Sequence, residues 1–308
     1  MSAFTVSAPA SSANLGSGFD SVALALELRM VASIAELPAG QPSAWEWTGA
    51  QQPTHDGLRA CIERGIVSVA TAPPPLAIRI DNAIPLGAGL GSSAAAHALG
   101  VAIGARFIDR PLDDDALARA VVDLEGHPDN ALAAWYGGVV IAAHDADGLH
   151  VARFAPPNVR VAVVVPELAF GTAASRALLP REVSHADAVY SVQRAALLGA
   201  ALASGRMELL RAATRDRLHQ PVRAAQLLGV PEMLALEGDG VYAVTLSGAG
   251  PSVLVLARDD EAARRTGHDA ARIFAEHGIR ARLLCPLPAA SGVAASEGVP
   301  AGEANRPR

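Results

Sequence analysis

The sequence predicts an α+β fold with two domains, because strand-like and helix-like segments are interspersed without a regular βαβ alternation. The 308 residues suffice for two domains that each bury a core, and 51% of them are hydrophobic. The proline-rich stretch APPN at residues 155–158 marks a change in composition. We therefore expect a first domain at 1–157, a second at 158–288, and a disordered tail without periodicity at 289–308.

Alternating apolar residues predict the strands of the first domain, and alanine-rich stretches predict its helices. The expected strands are FTVSA, SVALALELRMVASIAEL (a strand pair), PLAIRID and GGVVIAAHD, with the loop PASSANLGSGFD after the first. One helix is expected over SSAAAHALGVAIGARF, where serine can cap the N-terminus. Another is expected over PLDDDALARAVVDLE, where Pro111 and three aspartates suit the first turn.

The second domain is predicted to open with the strand VRVAVVVPE and to close with a helix and a strand. Helices are expected near 172–179, 185–203, 206–213, 222–236 and 259–277, and further strands at GVYAVTLSG, PSVLVLA and 280–285. Because these helices and strands do not alternate one by one, a doubly wound parallel sheet is disfavoured.

The charge pattern excludes several classes of partner. The net charge is −6 and no block of basic residues occurs, so the chain lacks the footprint of a nucleic-acid or anionic-membrane binder. It shows neither a secretory signal nor an apolar run of membrane-spanning length, and we expect a cytoplasmic protein. Cys61 and Cys285 are too far apart in sequence to suggest a metal or disulfide pattern, and both are interpreted as buried apolar residues.

The absence of lysine is more informative, since all 25 basic residues are arginine. A Walker A loop, a protein-kinase site and a Schiff-base enzyme each need a lysine at the chemistry. Any phosphate must therefore be held by main-chain N–H groups, arginine or a metal ion.

The stretch IPLGAGLGSSAAA, residues 84–96, places three glycines directly before the first predicted helix. It could be a tight turn, a dinucleotide-binding loop with Asp109 downstream, or a loop that binds a nucleotide triphosphate. Pro85 and the strands before the loop disfavour the dinucleotide alternative, whose loop normally follows the first strand. In the triphosphate alternative, Gly87, Gly89 and Gly91 let the main chain approach phosphate, and Ser92 and Ser93 offer hydroxyls to phosphate or Mg²⁺.

PLGAGLGSSAAA resembles the second motif of the GHMP kinases, which phosphorylate galactose, homoserine, mevalonate and phosphomevalonate. TLSGAGPSVLVL resembles their third motif, and APASSANLGSGFDSVALAL resembles the first motif of the homoserine-phosphorylating branch. EGHPDNALAAWYGGVVIA, FGTAASRALLP and DRLHQPVR are similar to further segments of that branch. The six segments follow the family order between residues 4 and 257. Ser17 stands where the family commonly has proline, and Ala88 where it often has a basic residue.

The resemblance implies the two-domain GHMP fold, with a first domain like domain 2 of ribosomal protein S5 and a ferredoxin-like second domain. It implies ATP and Mg²⁺ as cofactors, and transfer of phosphate to the side-chain hydroxyl of L-homoserine in threonine biosynthesis. A homodimer is compatible with it. The residues it places around ATP are Pro85, Gly87, Gly89, Leu90, Gly91, Ser92, Ser93, Ala94, Ala95, Gly248 and Gly250. Ser93 and Glu125 would bind Mg²⁺.

The resemblance also implies a pocket for an amino acid. Its residues would be Asn14, Asp20, His127, Thr172, Arg176 and Arg223, with the arginines on the carboxylate and Asp20 on the ammonium group. Asp129 and Asn130 would position groups for direct in-line attack without a dedicated base. Two alternatives stay open: another GHMP kinase, acting on an isoprenoid alcohol or a sugar, and an inert ATP-binding regulator with the same fold.

Overall fold

The computed structural model describes residues 3–54, 56–108, 110, 112–168 and 172–297. The strands are β1 (Ala3–Asn14), β2 (Gly18–Glu36), β3 (Ala44–Thr48), β4 (Leu76–Asn82), β5 (Val139–Asp145), β6 (Gly148–Phe154), β7 (Arg160–Pro166), β8 (Val241–Leu246), β9 (Val253–Ala257), β10 (Ala281–Leu284) and β11 (Ala294–Glu297). The helices are α1 (Gly57–Val69), α2 (Ser92–Gly104), α3 (Asp114–Glu125), α4 (Pro128–Tyr136), α5 (Thr172–Ala177), α6 (His185–Ser204), α7 (Leu210–Ala213), α8 (Gln220–Ala224), α9 (Val230–Leu234) and α10 (Asp260–Glu276). None of these helices is long and apolar enough to cross a membrane.

The first sheet is organised around the long strand β2. β1 pairs with β2 along most of its length, while β4 and β5 share the opposite edge of β2 and β6 extends β5. The pairs are antiparallel except for β3 with β4. This arrangement excludes the dinucleotide alternative, which requires a parallel doubly wound sheet. Asp109 and Pro111 lie outside the described residues.

The second sheet has four antiparallel strands in the order β10-β7-β9-β8. Along the chain, β7 is followed by helices, then by the adjacent strands β8 and β9, and finally by α10 and β10. This order is the ferredoxin-like pattern. This confirms the expected architecture of the second half. The chain passes from the first sheet to the second between Phe154 and Arg160, close to the boundary placed at residue 157.

The C-terminal segment returns to the first sheet. β11 pairs with Phe4–Ser7 of β1, and Ala289 exchanges main-chain hydrogen bonds with Ala25 and Gly138. The prediction of a disordered tail is therefore wrong for residues 289–297, while residues 298–308 lie outside the described part. The side chains of β11 are exposed, so its edge position depends on main-chain pairing and leaves no hydrophobic period in the sequence.

The predicted helix over 222–236 is two short helices, α8 and α9. Gly229 interrupts them with a φ of +77°, and Pro231 restarts the helix at its second position. The predicted loop after FTVSA is also shorter than expected, because β1 continues as far as Asn14. Its extension carries the first motif into the centre of the molecule, where residues 9–14 are buried.

Candidate active site

The glycine loop between β4 and α2 is fixed by contacts from both halves of the chain. Gly87, Gly89 and Gly91 have φ values of +64°, +72° and +67°, a region that favours glycine. The main-chain oxygen of Leu90 accepts a hydrogen bond from the N–H of Ser11 (3.1 Å), and that of Gly89 accepts one from Ser247 Oγ (2.7 Å). The loop therefore sits at the junction of the two sheets.

The third-motif loop, between β8 and β9, lies directly against the glycine loop. A Cβ on Gly89 would collide with the main-chain oxygens of Ser247 and Gly250, so only glycine fits there. The N–H of Gly248 donates to the main-chain oxygen of Ala13 (3.1 Å), and the oxygen of Gly248 accepts from Asn14 Nδ2 (2.9 Å). The three resembling motifs thus meet through short main-chain contacts.

The residues predicted around ATP divide into two groups by burial. Pro85, Leu90, Ala94 and Ala95 are buried and pack the loop onto the core. The accessible or partly accessible members are Gly87, Gly89, Gly91, Ser92 and Ser93. These five surround the N-terminus of α2, where free N–H groups and the helix dipole favour an anion. Ala88 is buried at 3% exposure, so the position that often carries a charge in the family here contributes packing.

Glu125, at the end of α3, reaches the start of α2. Its Oε1 accepts hydrogen bonds from Ser93 Oγ (2.5 Å) and from His97 Nδ1 (2.5 Å). Burial raises the pKa of Glu125, but the hydrogen bonds from His97 and Ser93 outweigh it and hold the pKa below its ordinary value. For His97, burial lowers the pKa, yet contacts with Cys61 and Glu125 raise it to about 9.

The Ser93 hydroxyl and the Glu125 carboxylate fit a Mg²⁺ ion, which commonly takes one or two protein oxygens and completes its shell with phosphate and water. They lie side by side at the N-terminus of α2, where phosphate is expected. Within the described residues, no group of three His, Cys, Asp or Glu residues could hold a metal by itself. The donor set suits a cation that arrives with a nucleotide.

Asp20 and Arg176, predicted to bind opposite ends of an amino acid, pair with each other. Two guanidinium nitrogens of Arg176 donate to the two carboxylate oxygens of Asp20 at 2.7 and 2.8 Å. Asp20 adopts a φ of +53°, and its N–H donates to Asn14 Oδ1 (2.9 Å). The Asn14 amide, expected to hold a polar end of the substrate, therefore connects Asp20 to Gly248.

Arg223 is a buried cation with few partners. Only 2% of it is exposed, its Nη1 lies 3.1 Å from His219 Nδ1 and 3.4 Å from the oxygen of Gly248, and its Nε has no hydrogen bond. Among the described residues, no carboxylate forms an ion pair with it. Burial lowers the pKa of the guanidinium, although an arginine side chain stays charged.

His219 and Asp216 were missed as site residues by the sequence reasoning. Asp216 accepts from the N–H groups of His219 (2.8 Å) and Gln220 (2.7 Å) and so holds the start of α8. His219 Nε2 donates to the main-chain oxygen of Gly16 (2.7 Å), which leaves Nδ1 as the acceptor for Arg223. Burial lowers the pKa of His219 and keeps it neutral. The signal in the sequence was the spacing of four residues between His219 and Arg223 in DRLHQPVR.

Phe19 connects the charged residues of this pocket. Its ring stacks on His219 with centroids 5.0 Å apart, and the guanidinium groups of Arg176 and Arg223 lie 5.7 and 5.2 Å from its centre. Both guanidinium groups are therefore within the range of a cation–π interaction with the same ring. The structure therefore brings together Asn14, Asp20, Arg176 and Arg223.

The segment before α4 carries the other predicted residues. His127 Nδ1 lies 2.9 Å from Asp129 Oδ1, and the hydrogen bond raises the pKa of His127. The same Asp129 oxygen accepts the N–H of Asn130 (2.7 Å), and Asn130 Oδ1 accepts from Ser11 Oγ (2.8 Å). Asp129 is thus buried and engaged. Thr172 begins α5, and its side chain lies outside the described part.

Fold and site together define a small-molecule kinase of the GHMP type. Residues 58–138 match the family of GHMP kinase N-terminal domains, and residues 198–275 match that of GHMP kinase C-terminal domains. The crystal structure of a homoserine kinase from Cytophaga hutchinsonii shares the fold, with a TM-score of 0.79 and 22% sequence identity over 96% of this chain and 98% of that one.

Sequence relatives narrow the class. The homoserine kinase of Deinococcus radiodurans is 37% identical over 299 residues, covering 94% of this chain and 96% of the relative. That of Thermus thermophilus is 43% identical over 262 residues, covering 83% and 87%. The chain belongs to the homoserine kinases of the GHMP family. The resemblance stated from the motifs is thereby confirmed.

Proposed function

We propose that this chain transfers the γ-phosphoryl group of ATP to the side-chain hydroxyl of L-homoserine and forms O-phospho-L-homoserine, a step of threonine biosynthesis. The observation that carries the proposal is the pocket of Asp20, Arg176 and Arg223, which touches the third-motif loop at Gly248. The proposed amino-acid site and the proposed phosphate site therefore adjoin each other at Gly248. Family membership supports the same activity.

The pocket suits a zwitterion. Asp20 and Arg176 neutralise each other, while the Arg223 cation has no paired anion among the described residues. An α-amino acid can satisfy all three, because its ammonium group replaces Arg176 on Asp20 and its carboxylate accepts from the two guanidinium groups. A sugar offers no carboxylate, and a phosphorylated isoprenoid acid would bring its anions against Asp20. Homoserine fits better than either alternative.

Main-chain groups of the glycine loop hold the ATP phosphates in this proposal. The N-terminus of α2 supplies the positive field that a lysine provides elsewhere. Ser93 and Glu125 hold Mg²⁺, which neutralises charge on the phosphates. Ser92 donates its hydroxyl to a phosphate oxygen, and Gly248 and Gly250 support the loop from the second sheet.

The transfer itself depends on alignment. The substrate hydroxyl oxygen bonds to the γ-phosphorus as the bond between that phosphorus and the bridging oxygen breaks, and ADP leaves. The hydroxyl proton passes to an oxygen of the transferred phosphoryl group and from there to water. Asp129 is engaged with His127 and the N–H of Asn130, so we assign it the role of fixing these neighbours rather than accepting the hydroxyl proton. Thr172 and His127 keep their proposed contacts with the substrate. A loose transition state tolerates the lack of a dedicated base.

The test is ADP release by the purified protein with Mg·ATP and, in turn, L-homoserine, L-serine, L-threonine, mevalonate and galactose. Turnover with homoserine alone supports the pocket assignment. Strong turnover with mevalonate or galactose refutes the substrate, and ATP binding without any turnover favours an inert regulator. A cytoplasmic location and a homodimer are further parts of the proposal, and light scattering of the purified chain tests the second.

A further inference from the structure

A polar cluster of Cys61, Arg64 and His97 lies behind Glu125, and nothing in the proposed transfer uses it. His97 is 2% exposed on the buried side of α2, and Cys61 is 7% exposed on α1. Arg64 Nη2 donates to Cys61 Sγ (3.2 Å) and lies 3.4 Å from His97 Nε2. A buried histidine beside a second helix is thus joined to a carboxylate at the edge of the phosphate site.

The close packing of α1 and α2 brings this cluster together. A Cβ on Gly65 would lie 2.8 Å from the Cα of Gly100, so the two helices approach at main-chain distance. This approach lets Arg64 and Cys61 of α1 reach the ring of His97. Arg64 therefore lies at Nε2 of the ring, while Nδ1 lies against Glu125.

The hydrogen bonds at Glu125 are unevenly distributed between its two oxygens. Ser93 Oγ and His97 Nδ1 both contact Oε1, while Oε2 accepts no hydrogen bond from the residues that the structure describes. The Nδ1–H of His97 can donate to the carboxylate in the neutral or the charged ring. A carboxylate anchored through one oxygen has a fixed plane, and its second oxygen is free for a cation.

We propose that His97 is a positioning residue for the metal-nucleotide complex, because its Nδ1–H anchors Oε1 of Glu125 and thereby aims Oε2 at the cation. The inference rests on the proposed function, in which Glu125 binds Mg²⁺. Partners of this kind, which orient a metal ligand through a hydrogen bond, affect metal affinity by about 10- to 100-fold. The competing interpretation is that the His97–Glu125 contact only joins α2 to α3.

Four variants separate these interpretations. His97→Asn keeps an N–H near the position of Nδ1, His97→Gln places its amide further out, and His97→Leu removes the donor at similar volume. Glu125→Gln weakens the proposed metal ligand itself. His268→Leu, on the exposed side of α10, is the matched control for the loss of a histidine. All are compared with the full-length protein by thermal unfolding before binding is measured.

The readout is Mn²⁺ binding in the presence of ADP, followed by electron paramagnetic resonance of the free ion, together with ADP affinity in EDTA. We expect His97→Leu and His97→Gln to weaken Mn²⁺ binding by about tenfold or more, with ADP affinity in EDTA unchanged. His97→Asn is expected to keep most of the affinity. Adding His97→Leu to Glu125→Gln is expected to weaken binding no further, because His97 acts through Glu125.

Four results would overturn the proposal. Folded His97→Gln with wild-type Mn²⁺ affinity shows that the contact is structural only, and this variant decides the matter if His97→Leu does not fold. Additive losses in the double variant show that His97 does not act through Glu125. An equal loss of ADP affinity in EDTA shows general damage to the loop. If Glu125→Gln itself leaves Mn²⁺ binding unchanged, the metal role of Glu125 fails separately, and homoserine turnover remains to be judged by its own assay.

Discussion

Arg223→Met is expected to stabilise the protein while it damages the enzyme. The guanidinium is 2% exposed and has no paired carboxylate among the described residues, so folding removes a cation from water with little compensation. Replacing buried ions by apolar groups of similar volume raises the free energy of unfolding by about 1–4 kcal/mol. The variant gives up the contacts to His219 and Gly248, at about 1 kcal/mol each. At the middle of these ranges, about 2.5 kcal/mol gained outweighs about 2 kcal/mol given up, so a small net gain, of at most about 2 kcal/mol in the free energy of unfolding, is expected.

The same change removes the proposed anchor for the substrate carboxylate. Truncating one member of a buried charged pair costs about 2–5 kcal/mol, so kcat/KM for homoserine is expected to fall at least about 30-fold. Urea unfolding measures the first effect through the midpoint at an unchanged slope. Steady-state kinetics with homoserine and ATP varied separately measure the second.

Arg217→Met is the control, since Arg217 lies in the same segment but is 51% exposed and pairs with Asp187 at 3.1 Å. An exposed pair contributes at most about 1 kcal/mol, so stability should change little and kcat/KM should stay the same. If Arg223→Met unfolds more easily than the wild type, the burial argument is refuted. If its kcat/KM is unchanged, Arg223 is not a substrate anchor.

Three further outcomes are expected. Gly89→Ala should lower the free energy of unfolding by about 1–2 kcal/mol for its positive φ alone, and should weaken ATP binding because the third-motif loop is displaced. Gly40→Ala, with open space around it, is the control and should leave ATP affinity intact. Calorimetry measures stability and ATP affinity in both variants. Because burial depresses the pKa of His219, the unfolded chain binds a proton below pH 6.5 that the folded chain does not. Stability should therefore fall as the pH drops below 6.5, by up to about 1.4 kcal/mol per pH unit. In urea titrations, His219→Gln should reduce this dependence of stability on pH. Asp129→Asn should lower kcat by less than the ~10²-fold typical of a lost general base, with an unshifted pH profile; a larger loss with a new pH dependence would identify Asp129 as the base.

Local signals in the sequence carried much of the fold. The alternation in PLAIRID and the aspartates at the start of α3 predicted their elements within a few residues of the observed bounds. The start of α2 was also predicted correctly, but its N-cap is Gly91 and not the serine that was expected to cap it. The helices α1 and α4 were not predicted: no element was assigned to the stretch that contains α1, and α4 spans only nine residues and begins with a proline. The strand β11 was invisible for another reason: it is held by main-chain pairing at an edge, which imposes no pattern on side chains.

The motifs predicted the loops of the candidate site, but they did not predict which side chains pair with each other there. Asp20 and Arg176 are 156 residues apart and meet only because β1 and β2 carry the first motif beside α5. Each was predicted to face the substrate, and the structure shows that they pair with each other. His97 was not predicted as a site residue, because packing alone explains the alanine-rich pattern of α2. Long-range polar contacts of this kind depend on the tertiary fold, and no periodicity in the sequence reports them.

In the proposed function, the charge balance of the pocket leaves a positive charge near the phosphate loops of a chain that has no lysine. Asp20 cancels one of the two guanidinium groups, and the zwitterionic substrate adds no net charge, so one positive charge is left over with substrate bound. Arg176 and Arg223 share that charge on the substrate carboxylate, and Nη1 of Arg223 lies 3.4 Å from the main-chain oxygen of Gly248 in the third-motif loop. Burial makes the cation costly to fold and correspondingly strong in its attraction for an anion. In the proposed function, the burial that makes Arg223 costly for the fold therefore also suits it to hold the substrate carboxylate beside the phosphate loops.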